Sequence, residues 1–302
     1  MSSENLRLMP HSIARSQRRA VIQALLGLIL CLGSWAIAWF GHGQFRSHTF
    51  FPLWFGYILA VDGVVLMRSG SSLLVRLGRS AILLFAFSVP FWWLFELANI
   101  RLQNWHYQLP YHYSWLRYHL EASIAFSTVV PAVFCTAELI RCLLPCAFHW
   151  SAFDPSANWS MTIGIAGAGM ILAALIYPSW FFPLIWIGGF FLIDWMASLI
   201  GARSISGQVR QGYWGTVVVL FAATLWCGFL WELWNSRSMP KWTYAVPKAD
   251  WFHIFEMPIL GFGGYLPFGL TLYAFVHLVD HLTLRRIGPA LLFDRAWDDG
   301  HD

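Results

Sequence analysis

The sequence predicts an all-α, polytopic integral membrane protein. About eight transmembrane helices form two tandem four-helix repeats in parallel orientation. Three observations lead there. Of 302 residues, 58% are hydrophobic and only 11% charged, against about 25% charged in soluble domains. Apolar runs near 20 residues recur, long enough to cross a bilayer as helices. The second half of the chain repeats the pattern of the first.

The spans run at about 21–42, 50–67, 80–100, 121–146, 161–178, 181–201, 213–235 and 254–282. The last is long enough to bend at Pro258 or Pro267, where the backbone N–H is missing. The ~10-residue alternating segments of a transmembrane barrel do not occur. The first run follows a polar, arginine-bearing start and contains "AIA", so it can be read as a signal peptide. Its length favours an uncleaved first span.

Arginines sit in the connections: Arg7, Arg15, Arg18 and Arg19 before the first span, Arg68, Arg76 and Arg79 in 68–79, Arg203 and Arg210 in 202–212, and Arg285, Arg286 and Arg295 at the end. They alternate with sparser loops, so the positive-inside rule gives N-in and C-in, as for a bacterial inner or plasma membrane. The expected organisation is a basic cytoplasmic tail (1–20), repeat 1 (21–147), a linker (148–160), repeat 2 (161–283) and a second cytoplasmic tail (284–302). The net charge of +4 comes with no basic run interleaved with aromatics, so the expected partner is the lipid bilayer and not a nucleic acid. The sequence does not fix an oligomeric state.

"FFPLWFGYILAVD" (50–62) matches "FFPLIWIGGFFLID" (181–194), and "FELANIRLQNWHYQLP" (95–110) matches "WELWNSRSMPKWTYAVP" (231–247), each with one inserted residue. Glu96, Asn99, Arg101, Trp105, Tyr107 and Pro110 thereby face Glu232, Asn235, Arg237, Trp242, Tyr244 and Pro247. The match continues through Trp115 and Trp251, "HLE" (119–121) and "HIFE" (253–256), and Pro131 and Pro267. Four spans per copy keep both copies in one orientation, related by a pseudo-two-fold along the membrane normal.

Acids recur at three places per copy: Asp62, Glu96 and Glu121, then Asp194, Glu232 and Glu256. Charges inside a bilayer cost several kcal/mol and point to function by default. Glu96 lies six residues from the end of its span, ~9 Å deep at 1.5 Å per residue. Glu121 and Glu256 are placed at the start of the next span, so each copy can bring two acids into one shallow recess. Asn99 and Asn235, at i+3, share the helix face of the first acid. Two acids in an apolar recess can hold one proton between them near neutral pH, as general acid–base chemistry needs, and Trp and Tyr faces stabilise cations. The same glutamates can instead lock helices together, with Arg101 and Arg237 as partners. For Asp62 and Asp194, interhelical hydrogen bonding is favoured over catalysis.

His277 and His281, at i,i+4 around Asp280, have a spacing able to hold a metal. An interfacial cap is favoured, and no metal is expected. Cys142 and Cys146 share the same spacing, and inert buried thiols are favoured. No lysine lies in any span, which excludes a retinal-type Schiff base. With no glycine-rich phosphate loop and no haem-attachment motif, no cofactor is expected.

Trp231–Glu232, Arg237, Trp242, Tyr244, Glu256 with Pro258, and Pro267 follow the order seen in the lycopene cyclase-domain group of carotenoid enzymes, which this chain resembles over about 50 residues per half. Phe95–Glu96, Arg101, Trp105, Tyr107, Glu121 and Pro131 follow it more loosely. The resemblance implies a redox-neutral reaction, in which an acid protonates the end of a linear polyene and the cation closes to a ring. Where the family has proline ahead of two adjacent glutamates, this chain has "FEMP" and "LEAS". Cyclisation, hydration and a different isoprenoid substrate therefore stay open. The expected catalytic residues are Glu232 and Glu256, with Glu96 and Glu121 as their counterparts. The expected binding residues are Trp231, Asn235, Arg237, Trp242, Tyr244, Trp251 and His253, with Asn99, Arg101, Trp105 and Tyr107. The competing expectation is a transporter, channel or complex subunit using the duplicated carboxylates.

Overall fold

The computed structural model describes residues 3–144, 148–152 and 159–295, with side chains from residue 17 onward. In chain order it contains α1 (Ser3–Phe40), α2 (Phe50–Ser69), α3 (Leu73–Leu77), α4 (Ile82–Leu102), β1 (Trp105–Gln108), α5 (Trp115–Phe126) and α6 (Val129–Leu143). There follow α7 (Trp159–Ile176), α8 (Pro178–Phe181), α9 (Leu184–Leu199), α10 (Ile205–Arg210), α11 (Gly215–Asn235), β2 (Lys241–Tyr244), β3 (His253–Ile254), β4 (Met257–Pro258) and α12 (Tyr265–Leu282). Among the described residues seven helices are long and apolar enough to cross a membrane, and the 16-residue α9 is apolar but shorter. Cys146, one of the expected cysteine pair, and residues 153–158 of the expected linker lie outside the described residues, whereas Cys142 is described and half-buried.

Helix pairing follows one scheme twice. Helix α1 packs on α2 as α7 packs on α9, α2 on α6 as α9 on α12, and α4 on α6 as α11 on α12. Glycine sets the first crossing in each set. A Cβ on Gly27 would lie 2.7 Å from Gly56 O and would strike Ala60 N, and one on Gly167 would lie 2.9 Å from Gly188 O and 2.7 Å from Leu192 N. Small residues bring helix backbones together in membranes because lipid offers no hydrophobic drive for helix association.

Sequence-matched polar residues make matching bonds. Asp62 accepts from Leu74 N (3.0 Å) and Ser72 Oγ (2.7 Å), capping α3, and also from Gln23 Nε2 of α1 (2.8 Å). Asp194 accepts from Ile205 N (2.7 Å) and Ser206 N (3.0 Å), capping α10. Asn99 Nδ2 donates to Trp105 O (2.8 Å) while its Oδ1 accepts from Asn104 N (2.8 Å). Asn235 Nδ2 donates to Trp242 O (2.7 Å) while its Oδ1 accepts from Trp242 N (2.9 Å). These amides hold the start of each strand, and β1 and β2 then pair antiparallel, Trp105 against Tyr244 and Tyr107 against Trp242.

Three boundaries differ from the sequence expectation. The fourth span begins at Trp115, six residues before Glu121, because the i,i+4 pair Arg117–Glu121 lets a charged segment stay helical. It breaks at Ser127–Thr128, where Ser88 of α4 donates to Phe126 O (2.5 Å) and accepts from Val130 N (3.0 Å). The last span begins later, since residues 253–258 form the β3–β4 hairpin. Glu256 sits in its turn, not at a helix start. Pro267 kinks nothing, because it lies in the first turn of α12, where the missing N–H has no intrahelical partner to lose.

The end of the bundle away from β1 and β2 is closed by residues 284–295, which fold back and do not trail away as a tail. Ile287, Leu291 and Phe293 are fully buried in the core. Asp280 caps the return by accepting from the backbone of Arg286, Ile287 and Gly288. Glu138 pairs with Arg76 (2.8 Å) and accepts from Leu292 N (2.7 Å). Asp294 accepts from Tyr273 Oη (2.8 Å) and pairs with Arg203 (2.8 Å) and His277 (3.3 Å). His281 meets Arg285 (3.1 Å), and the described residues hold no group of three or more potential metal ligands.

Candidate functional site

Beneath the β1–β2 ladder lies a cavity of about 430 Å³ whose walls are overwhelmingly apolar. Helices α2, α4, α5, α9, α11 and α12 all contribute. Trp92, Trp105, Trp186, Trp231 and Trp242 supply indole rings, and Phe268 in the wall meets Trp92, Trp186 and Trp231 edge-on at 5.9–6.1 Å.

Glu232 is the deep acid of this cavity and is 0% exposed. It sits three residues from the end of α11, a place fixed by the Asn235 bonds to β2. Its Oε1 accepts from Tyr244 Oη (2.6 Å) and Tyr265 Oη (2.9 Å), and Trp242 Nε1 in turn donates to Tyr244 Oη (2.9 Å). Burial first, and the neighbouring Glu232 carboxyl second, push the Tyr244 hydroxyl well above the ordinary phenol range, so it keeps its proton and donates. Glu232 Oε2 has no hydrogen-bond partner among the described residues. A bare buried carboxyl oxygen against an apolar cavity calls for an explanation.

The matched acid, Glu96, is held differently. Its Oε1 accepts from Trp92 Nε1 (2.8 Å), Trp105 Nε1 (3.1 Å) and Tyr107 Oη (2.6 Å). Burial, then Glu96, push the Tyr107 hydroxyl well up, which keeps it a donor too. Trp105 and Tyr107 line the cavity, but Glu96, behind them, is not among its wall residues.

The second acids are ion-paired. Glu121 lines the cavity near its rim, bonded to Arg117 Nε (2.6 Å) and 3.5 Å from His48 Nε2. Glu256 bonds Lys241 Nζ at 2.5 Å and is not among the wall residues. The acid sharing the cavity with Glu232 thus comes from the first half of the chain.

Neither expected arginine partner reaches its glutamate. Arg101 donates to Ile176 O (3.3 Å), and Arg237 lies over the Trp39 ring (5.2 Å). Asn99 and Asn235 shape the strands and do not line the cavity. Trp251 is exposed, and His253 pairs with Asp250 on the surface (2.9 Å). Of the expected binding residues, Trp105, Tyr107, Trp231, Trp242 and Tyr244 therefore line the cavity.

Tyr265 and Phe268 are cavity-wall positions that the repeat comparison misses. Counting back from the matched pair Pro131 and Pro267, Tyr265 stands opposite Val129, so its phenol has no duplicate to mark it. Trp186, also in the wall, was visible as the tryptophan of "FFPLIW". No protein-family model matches the chain, and no curated protein and no solved structure matches it.

Proposed function

We propose that the chain is an eight-span integral membrane enzyme doing redox-neutral acid–base chemistry on a carotenoid or other isoprenoid lipid. The observation that carries the reading is Glu232, fully buried in an apolar aromatic cavity with Oε2 bare. An isolated buried carboxylate is costly, and a buried acid without a cation beside it is held as the neutral group. Two phenols donating to Oε1 leave Oε2 as the oxygen to carry the proton, and Glu232 is one of the cavity's wall residues.

The step follows from that geometry. The O–H bond of Glu232 breaks as a C–H bond forms at one carbon of a substrate double bond, leaving positive charge on its neighbour. The faces of Trp231, Trp242 and Trp186 receive that charge. The cation is then attacked by an internal double bond, or by water. The Glu232 carboxylate then recovers a proton, from a carbon adjacent to the new cation after ring closure or from the added water on hydration, closing a redox-neutral cycle. The resemblance to the lycopene cyclase-domain group points to the cyclising branch.

The repeated helix pairing, the paired glycine crossings and the matched bonds of Asp62 with Asp194 and Asn99 with Asn235 support two tandem parallel repeats, with α9 as the sixth span. The arginine pattern supports N-in and C-in within a bacterial inner or plasma membrane, with the cavity towards the outer face. A transport path is disfavoured, because Phe91, Phe134, Leu220, Leu272 and Tyr273, all fully buried, fill the bundle between the cavity and the far end.

The test is to express the chain in cells that accumulate lycopene or other linear isoprenoids and analyse their lipids. Wild type should give a product of unchanged oxidation state, and Glu232→Gln, folded and in the membrane, should give none. Unchanged lipids with wild type, together with ion flux in proteoliposomes, would reject the enzyme in favour of transport.

A further inference from the structure

From the cavity's size and its thin wall at α5, we infer that the ligand is a neutral chain lipid too long to be enclosed. One end is bound against Glu232, and access is sideways from the bilayer between α2 and α5. This rests on the reading of the cavity as an isoprenoid site and specifies how such a lipid occupies it.

Volume sets the first limit. At about 430 Å³ the cavity lies at the small end of the ~300–1,000 Å³ range of pockets that enclose drug-sized ligands. A C40 polyene is longer than that class of ligand and would leave part of its length outside. An enclosed end is not anionic, since no lysine or arginine is among the described wall residues to meet it, and with Glu232 held neutral no carboxylate at the deep end calls for a cation.

The wall facing α5 is one helix thick. Leu116, Leu120 and Ile124, at i, i+4 and i+8, form an exposed apolar stripe, the face such a helix turns to lipid. On the cavity side the same helix presents Tyr118, Glu121, Ala122, Ala125 and Phe126, with the two alanines flanking Ile124, which both lines the cavity and is 52% exposed. The level of Ile124 is set by Trp93 Nε1 donating to Ser123 Oγ (3.0 Å). Trp93 lies nine residues from the end of α4, ~13 Å along the helix, so Ile124 stands at hydrocarbon depth. Across the gap, Phe51 and Pro52 in the first turn of α2 also line the cavity. Above it the His48–Glu121 pair (3.5 Å) ties the turn before α2 to α5. An apolar chain gains nothing by crossing water to reach a membrane site, and sideways access spares it that crossing.

The test places the protein in phosphatidylcholine nanodiscs with a C20 all-trans isoprenoid hydrocarbon carrying a diazirine at one end, or in a second version at the sixteenth carbon. The expected result with end-labelled chains is that photolysis modifies Trp231 or Phe268 in part of the protein and Phe51 or Ile124 in the remainder. The sixteenth-carbon version should modify α2 and α5 and spare Phe268. Ile124→Trp should cut the deep labelling at least 10-fold. Labelling of residues 109–113 and 240–246 in place of α2 and α5 would overturn the inference, as would labelling no stronger than that of Ile29 and Ile165 on lipid-exposed faces elsewhere. Correct labelling without any lipid conversion would remove the acid chemistry alone, and Glu232-dependent conversion with labelling at the rim would remove the sideways route alone.

Discussion

Tyr265 Oη lies 2.9 Å from Glu232 Oε1, joining the first turn of α12 to the last turn of α11 across the aromatic cavity. With Tyr244 on the same atom, one carboxyl oxygen is fixed by two donors and the other is left bare. Tyr265→Phe removes one donor and keeps the ring. A hydrogen bond between neutral groups contributes about 0.5–1.5 kcal/mol, so product formation should fall about 2- to 13-fold. The infrared carboxyl stretch that vanishes in Glu232→Gln should also move to higher frequency in Tyr265→Phe. An unmoved band would mean that Tyr265 does not orient the acid.

Glu96 should behave differently from its sequence-matched partner. Its Oε1 is held by three donors behind the cavity wall, so Glu96→Gln should retain lipid conversion within a few-fold. Thermal unfolding in detergent should show a loss of about 1–3 kcal/mol, the usual cost of disturbing a buried polar group. Loss of conversion with stability intact would instead give Glu96 a chemical role.

The glycine crossings offer a matched pair of packing tests. Gly27→Val and Gly167→Val each force a side chain into the opposing backbone, and overpacking costs typically 1–3 kcal/mol. Both variants should lower the melting temperature by similar amounts. If one is tolerated and the other is not, the two crossings are not equivalent.

Asp294 gives the far end of the bundle a defined acid sensitivity. Burial alone would raise its carboxyl, but His277 and Arg203 outweigh burial and hold it below the ordinary aspartate value. A carboxyl lowered on folding stabilises the protein above its unfolded pKa of about 3.9, and that stability is lost as pH falls through the lower folded value. Wild type should therefore lose thermostability below about pH 4. Asp294→Asn should be less stable at pH 7 and show a flatter acid limb. The readout is the melting temperature in detergent from pH 3 to 8.

The matched polar positions were legible because each is a residue with a local partner at fixed spacing. Asn99 and Asn235 grip backbone six and seven residues on, and Asp62 and Asp194 cap a helix twelve residues on. What escaped depends on chain reversals that apolar periodicity does not encode. "FEMP" reads as the start of a span, yet Phe255 adopts φ 58° and turns the chain into a hairpin, handing Glu256 to Lys241. Residues 284–295 look like a basic tail, because Ile287, Leu291 and Phe293 are too sparse to register as a core segment and are buried only through contacts with Glu138 and Tyr273 far away in sequence. Tyr265 lacked a duplicate, so the most informative donor at the site was the least visible.

Proton delivery from Glu232 to the lipid is tested most directly by deuterium incorporation. Purified protein in nanodiscs, loaded with lycopene or the linear isoprenoid it converts in cells, is incubated in D2O and the product analysed by mass spectrometry. Wild type should place one deuterium on a carbon that was part of the reacting double bond, and Glu232→Gln should form no product. Product without deuterium, or equal labelled product from Glu232→Gln, would contradict the assignment of Glu232 as the acid.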